Sequence, residues 1–327
     1  MKSQNNNLNS DITHISVKYV EINADHAGRR IDNYLFSALQ DVPRSRIYQM
    51  LRKGEVRVNS KRVKQGYRLQ EGEKLRIPPV SHKSDINPEL PRQYLLDIIN
   101  KSIIYDDDNL MVINKPSGIV VHGGTGRSFG VIEILRILQK DKIGTLQLAH
   151  RLDRDTSGIL LISKNMKFLT FLHECFKNRQ IKKSYKALLK GQLDKDMLTV
   201  RNSLARNIIR GGERLSSIAD EGKQAETVFK KIKLINDSTL VDVNIKTGRT
   251  HQIRVHAESI SHPIAGDEKY GNKIFNKKMK NSGLKRLFLH AESITIPAYK
   301  GKKLFAINAP LADELSLFLK SYSTINA

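Results

Sequence analysis

From residue 98 onward, apolar runs of strand character and amphipathic helical stretches follow one another without the regular beta-alpha-beta order of a parallel sheet. That irregular order is what most restricts the fold. The strand-like SIIYDDDNLMVINKPSG, with a turn at 106–109 between two apolar runs, passes through glycine-rich VHGGTGRSFG into an amphipathic helix expected at 131–140. Strands are expected at 158–163, 183–190, 226–235 and 239–246, and helices at 166–178 and 251–260. The class is therefore α+β, with a mixed, mostly antiparallel sheet and flanking helices.

A smaller α/β unit is expected at 17–80. Ile31, Tyr34, Leu35, Ala38 and Leu39 follow helical spacing, and a second helix begins after Pro43 and stops at Gly54. Val56 and Val58 then alternate with charges up to a turn at Asn59 and Ser60, and a last strand closes the segment GYRLQEGEKLRIPP. Residues 1–16 have no periodic apolar positions and are expected to be a disordered tail, 81–97 reads as a linker, and 98–327 forms the second domain.

Charge narrows the partners. Lys and Arg number 56 against 33 Asp and Glu, a formal charge of +23, and the excess is clustered. Residues 28–79 hold thirteen basic and five acidic residues, 177–190 hold six basic and none acidic, and 269–286 hold seven and none. Three such patches on a folded chain point to an anionic partner, nucleic acid foremost. No apolar window is long enough to span a membrane and the N-terminus lacks a signal-peptide core, so neither export nor membrane insertion is expected. The single cysteine, Cys175, excludes an internal disulfide and suits a reducing compartment, the cytoplasm. It falls in the apolar stripe of Phe168, Leu169, Leu172 and Phe176, as packing rather than as a nucleophile.

Chemistry is densest at HRLDRDTSG, residues 150–158, which runs directly into an apolar strand. Two carboxylates interleaved with two arginines can be kept ionised in an exposed loop, as a nucleophile or general base requires. Spacing leaves Asp153 and Asp155 equally eligible. His251 and His256 are five apart with no HExxH pattern, so no metal site is expected, and the glycine-rich loop at 122–127 lacks the spacing of a nucleotide-triphosphate site and is left to line RNA.

HRLDRDTSG resembles the signature of the RluA-type pseudouridine synthases. KKSYKALLKG and TGRTHQIRVH are similar to that family's second and third motifs, and NKPSG and RLFLHAESITIP extend the resemblance over nearly all of residues 100–310. The segment RIDNYLFSALQDVPRSRIYQMLRKGEVRVNSKRV in turn resembles the S4 RNA-binding domain. The resemblance implies isomerisation of chosen uridines in large-subunit ribosomal RNA, or in its assembly intermediate, a rearrangement that needs no cofactor, and since nothing in the sequence resembles a dimerisation motif a monomer is expected. It implies that Asp153 is the catalytic aspartate, that Arg254 pairs with it, that Tyr185 packs on the uracil and that Arg151 helps displace the target nucleotide. His150, Arg249 and His251 become further substrate contacts, and Arg44, Arg46, Arg52 and Lys53 the S4-like contacts to RNA, with Arg46 and Lys53 seven apart on one helical face. The alternative of a different kind is a non-catalytic RNA-binding or ribosome-assembly protein that uses only the S4-like unit.

Overall fold

A computed structural model of the chain describes residues 17–39, 42, 44–79, 91–123, 129–139, 146–210, 213–301 and 303–324. The expected tail and most of the expected linker and glycine-rich loop fall outside these residues. In chain order the elements are β1 (Lys18–Glu21), α1 (Ile31–Ala38), α2 (Arg44–Lys53), β2 (Arg57–Val58), β3 (Lys61–Arg62), β4 (Lys74–Ile77), α3 (Gln93–Lys101), β5 (Ile103–Asp106), β6 (Leu110–Lys115), α4 (Val131–Leu138) and β7 (Gln147–Leu148). They continue with β8 (Ser157–Ser163), α5 (Met166–Lys177), β9 (Lys182–Lys190), β10 (Met197–Arg210), β11 (Glu213–Ile218), β12 (Lys223–Ile235), β13 (Ser238–Ile245), α6 (Gln252–Ser259), α7 (Lys273–Asn281), β14 (Leu289–Ile296), β15 (Phe305–Asn308) and α8 (Asp313–Thr324).

The first four strands form an antiparallel sheet in the order β1-β4-β2-β3. Ile31 and Leu35 of α1 and Ile47, Met50 and Leu51 of α2 share a buried core with Val58 and Leu75 of that sheet, so the apolar spacing read from the sequence for α1 is its packed face. The remaining strands build one eleven-stranded sheet, β11-β10-β12-β13-β9-β14-β8-β6-β5, with β15 against β14 and β7 against β8. Its neighbours are antiparallel except β8 and β14, where Ser157 and Gly158 pair in parallel with His290 and Ala291.

β8 explains why an unbroken apolar run follows the polar loop. Leu160 and Ile162 pack with Val131, Ile134 and Leu135 of α4, whereas Ile159 and Leu161 pack with Phe168, Leu169, Leu172 and Cys175 of α5. Side chains alternate across a strand, so a strand covered by helices on both faces carries apolar residues at every position. The helix expected at 131–140 ends at Leu138, and the one expected at 251–260 begins at Gln252, since His251 adopts a left-handed conformation at φ 54°. Sequence reading missed the long β10–β11 hairpin and α7. In α7 Phe275 and Met279, four apart, are the buried residues, but lysines fill the rest of the helix and dilute its apolar period.

Two fully buried histidines make the fold acid-sensitive. Burial pushes His256, whose Nδ1 lies 2.9 Å from Thr227 Oγ1, down to about 4, and His290, 2.8 Å from Ser157 Oγ, also down to about 4. Between pH 6.5 and 4 the unfolded chain therefore binds protons that the folded chain refuses, and stability falls as the pH drops through that window. Urea midpoints are expected to decline across it, each histidine contributing up to about 1.4 kcal/mol per pH unit, and His256→Gln to flatten the decline. A midpoint independent of pH over that window would contradict the buried neutral state.

Candidate active site

The loop between β7 and β8 carries the polar cluster, and backbone contacts fix its shape. Thr156 N–H closes a turn on Asp153 C=O at 3.2 Å, and Gly118 N–H donates to Arg154 C=O at 2.9 Å. Lys115, fully buried, donates from Nζ to the carbonyls of Arg154 (2.9 Å), Pro116 (2.7 Å) and Ile119 (2.9 Å), while Ser117 Oγ donates to Asp155 C=O at 2.7 Å. Burial pushes the Lys115 ammonium down to about 7, yet its three donors meet three acceptors, the arrangement that keeps the charge. From the other side Arg286 donates to Ser157 Oγ at 2.8 Å. Gly158, at φ +109°, lets β14 close on the loop's end, because a Cβ there would lie 2.2 Å from Ala291 O.

This scaffold separates the two eligible carboxylates. Asp155 is held bidentately by its neighbour, with Arg154 Nε at 2.6 Å and Nη2 at 2.9 Å. Asp153 instead points into a cleft of about 410 Å³, where Nη1 of the Arg254 guanidinium cation and Nε2 of the His251 imidazole ring each lie 3.8 Å from Oδ2. Among the described residues no hydrogen bond occupies the Asp153 carboxylate, so it is the one available to a bound molecule.

Arg254 is not tied to Asp153 as directly as expected. Its guanidinium is 4% exposed and forms two parallel bonds to Asp267, Nε to Oδ2 and Nη2 to Oδ1, both 2.7 Å, which leaves Nη1 facing Asp153. Burial alone would lower the guanidinium, but the Asp267 bonds and charge outweigh it and hold Arg254 above its usual range. Asp267 Oδ1 also accepts the N–H groups of Lys269 and Tyr270, at 2.9 and 3.0 Å. The cation beside Asp153 is thus aimed by a second, wholly buried carboxylate.

His251, at the left-handed entrance to α6, stands between Asp153 and Tyr270. Burial lowers its ring, although the nearby Asp153 opposes this, so the imidazole is neutral near pH 7. The Tyr270 oxygen accepts Ser216 N–H at 2.9 Å and lies 2.8 Å from His251 Nδ1. Its hydroxyl proton is then free for Nδ1, and the Nε2 proton faces Asp153.

Tyr185 of β9 is 7% exposed and lines the same cleft, with burial and the Asp153 charge raising its phenol well above the usual range. It presents a neutral ring. Arg151 and Arg249 stand exposed at the cleft's rim. His150 also lines the cleft, but its Nε2 accepts Leu161 N–H at 3.1 Å and burial pushes it down to about 3, which makes it part of the strand edge. In α2, Arg52 and Lys53 are exposed, Arg46 is paired with Glu55 at 2.8 Å, and Arg44 opens the helix with its side chain outside the described residues. Sequence reading assigned no role to Lys115, Asp267, Tyr270 or Arg286. Lys115 and Arg286 lie in the segments NKPSG and RLFLHAE, but only the folded chain brings these two to the β7–β8 loop and Asp267 and Tyr270 to Arg254 and His251. Among the described residues no group of His, Cys, Asp and Glu is placed to hold a metal ion, and no helix is long and apolar enough to cross a membrane.

Residues 109–259 match the family described as RNA pseudouridylate synthase, and residues 29–75 match the S4 domain. Ribosomal large subunit pseudouridine synthase C of Pasteurella multocida (strain Pm70) is 46% identical over 305 residues, covering 93% of each chain. The protein of the same name from Escherichia coli (strain K12) is 45% identical over 311 residues, 93% of this chain and 96% of that one. Among solved structures, Human RNA Pseudouridylate Synthase Domain Containing 4 superposes with a TM-score of 0.58 at 26% identity, over 70% of this chain and 95% of the other.

Proposed function

Since this chain belongs to the RNA pseudouridylate synthase family and carries an S4 domain, we propose that it converts specific uridines of large-subunit (23S) ribosomal RNA to pseudouridine, with Asp153 as the reacting carboxylate. The observation that carries the assignment to Asp153 is its free carboxylate in the cleft, 3.8 Å from both Arg254 and His251, while Asp155 is engaged by Arg154. The reaction breaks the bond from N1 to C1′, turns the base and rejoins it to C1′ through C5. The C5 proton departs and N1 gains one, so no redox change or added group is needed. An ionised carboxylate can begin this by attack on the nucleoside or by removing a sugar proton, and Arg254 keeps that charge stable where a bound base excludes water.

A stacked uridine is out of reach of such a cleft and must be extruded, at a cost of a few kcal/mol. Tyr185 offers the extruded ring a stacking face, and base-aromatic contacts are worth about 1–3 kcal/mol. Arg151, at the rim, is placed to enter the gap left in the RNA, with Arg249 beside it on the backbone. Residues 17–80 dock on structured RNA through Arg44, Arg46, Arg52 and Lys53, and residues 98–327 perform the reaction. In this reading the enzyme works in the cytoplasm and as a monomer.

Pseudouridine mapping of ribosomal RNA from cells with and without the gene tests this. A small set of large-subunit sites is expected to revert to uridine when the gene is absent. Identical maps would contradict the proposal.

A further inference from the structure

Beside the catalytic cleft lies a second, smaller pocket of about 240 Å³ to which no role has yet been given, and the two share Arg179, Lys246 and Thr247 in their walls. Its floor is the β10–β12 ladder. Arg201 pairs across the strands with Glu226, and Ser203 with Gln224, so these four residues share one face. Glu226 bridges Arg201 Nε at 3.0 Å and Lys246 Nζ at 2.6 Å, and Thr247 is engaged within the fold by Gln252 at 2.7 Å. The side chains of Ser203 and Gln224, in contrast, form no hydrogen bond among the described residues. Arg179 is exposed and has no ion pair among them. The pocket therefore pairs an unused amide and hydroxyl with an excess of positive charge.

We propose that this pocket is a nucleotide subsite, which takes up the unpaired nucleotide adjoining the target uridine, with Gln224 and Ser203 reading the edge of its base and Arg179 and Lys246 holding its phosphate. The inference rests on the RNA-modifying reading above. A strand leaving the cleft past Arg179 and Lys246 meets the pocket next, because the same two side chains border both. A glutamine amide presents a donor and an acceptor side by side, the pattern that matches a base edge, and sequence-specific RNA recognition falls on bases that are splayed out of a helix. A bare phosphate would need the cations alone and would leave Gln224 and Ser203 with nothing to read.

Single-turnover conversion of ribosomal RNA fragments that carry each of the four bases on either side of the target uridine tests the subsite. With the intact protein, one neighbouring position should show a spread of about tenfold or more between its best and worst base, the scale of one paired base contact. In Gln224→Ala the spread should shrink to about twofold, through loss of rate on the best fragment and not on the worst, with Ser203→Ala intermediate. Both positions lie outside the reacting cleft and Gln224 is exposed, so the fold should persist, as thermal unfolding would verify. Equal rates for all bases with the intact protein, or an undiminished spread in Gln224→Ala, would overturn the subsite alone. Failure of the intact protein to convert any fragment would instead overturn the enzymatic reading beneath it.

Discussion

Replacement of Asp267 by asparagine is expected to lower global stability by about 3–5 kcal/mol, the scale for removing one partner of a buried ion pair, and to depress pseudouridine formation even where the variant remains folded. Asp267 is 1% exposed and gathers four donors, two from Arg254 and the N–H groups of Lys269 and Tyr270. An asparagine of the same shape supplies one acceptor and turns an amide N–H₂ toward a guanidinium that has only donors. The Arg254 charge is then buried without compensation, and the group that faces Asp153 loses its aim. Urea unfolding and single-turnover conversion, measured at a temperature where the variant is folded, separate the two effects. A midpoint within about 1 kcal/mol of the intact protein would show that Arg254 is anchored by something else.

Replacement of Asp153 by asparagine should act in the opposite sense, with a large effect on chemistry and little on the fold. Among the described residues its carboxylate makes no hydrogen bond, and Arg254 Nη1 and His251 Nε2 are each 3.8 Å away. Stability should therefore stay within about 1 kcal/mol, the range of weak, partly solvated ion pairs. The rate should fall by about a thousandfold or more, as when other enzymes lose the group that attacks, because a neutral amide neither attacks the nucleoside nor takes its proton. RNA affinity should persist, since the phosphate contacts lie elsewhere.

Local pattern revealed what is local. The helical spacing of α1, the proline and glycine that bound α2, the apolar run of β8 and the polar loop before it could be read directly, because each is a signal within a few residues. The choice between Asp153 and Asp155 could not be read from spacing, and resemblance alone made it. In the fold the difference is a side-chain contact, the Arg154 fork on Asp155, which two alternating acids and bases do not encode. Asp267 and Lys115 were illegible for a different reason. Each acts on a loop or helix that another segment supplies, Asp267 on Arg254 thirteen residues away and Lys115 on the Arg154 carbonyl thirty-nine residues away. The left-handed backbone of His251 belongs to the same group, since a histidine at a helix entrance gives no sign that its φ will be positive.

The positive charge, too, acquired distinct tasks. Arg254 is bound to Asp267 and turns Nη1 toward Asp153, while Arg52, Lys53, Arg151, Arg179 and Arg249 are exposed.

The central claim is that Asp153 performs the reaction, and one comparison tests it most directly. Purified intact protein and Asp153→Asn are incubated with unmodified large-subunit ribosomal RNA, and pseudouridine is mapped in each product. The intact protein should convert a few defined uridines and the variant none of them, although both bind the RNA. Equal pseudouridine from the two proteins would contradict the assignment of Asp153, and with it the account of Arg254 and Asp267 as the groups that hold its charge in place.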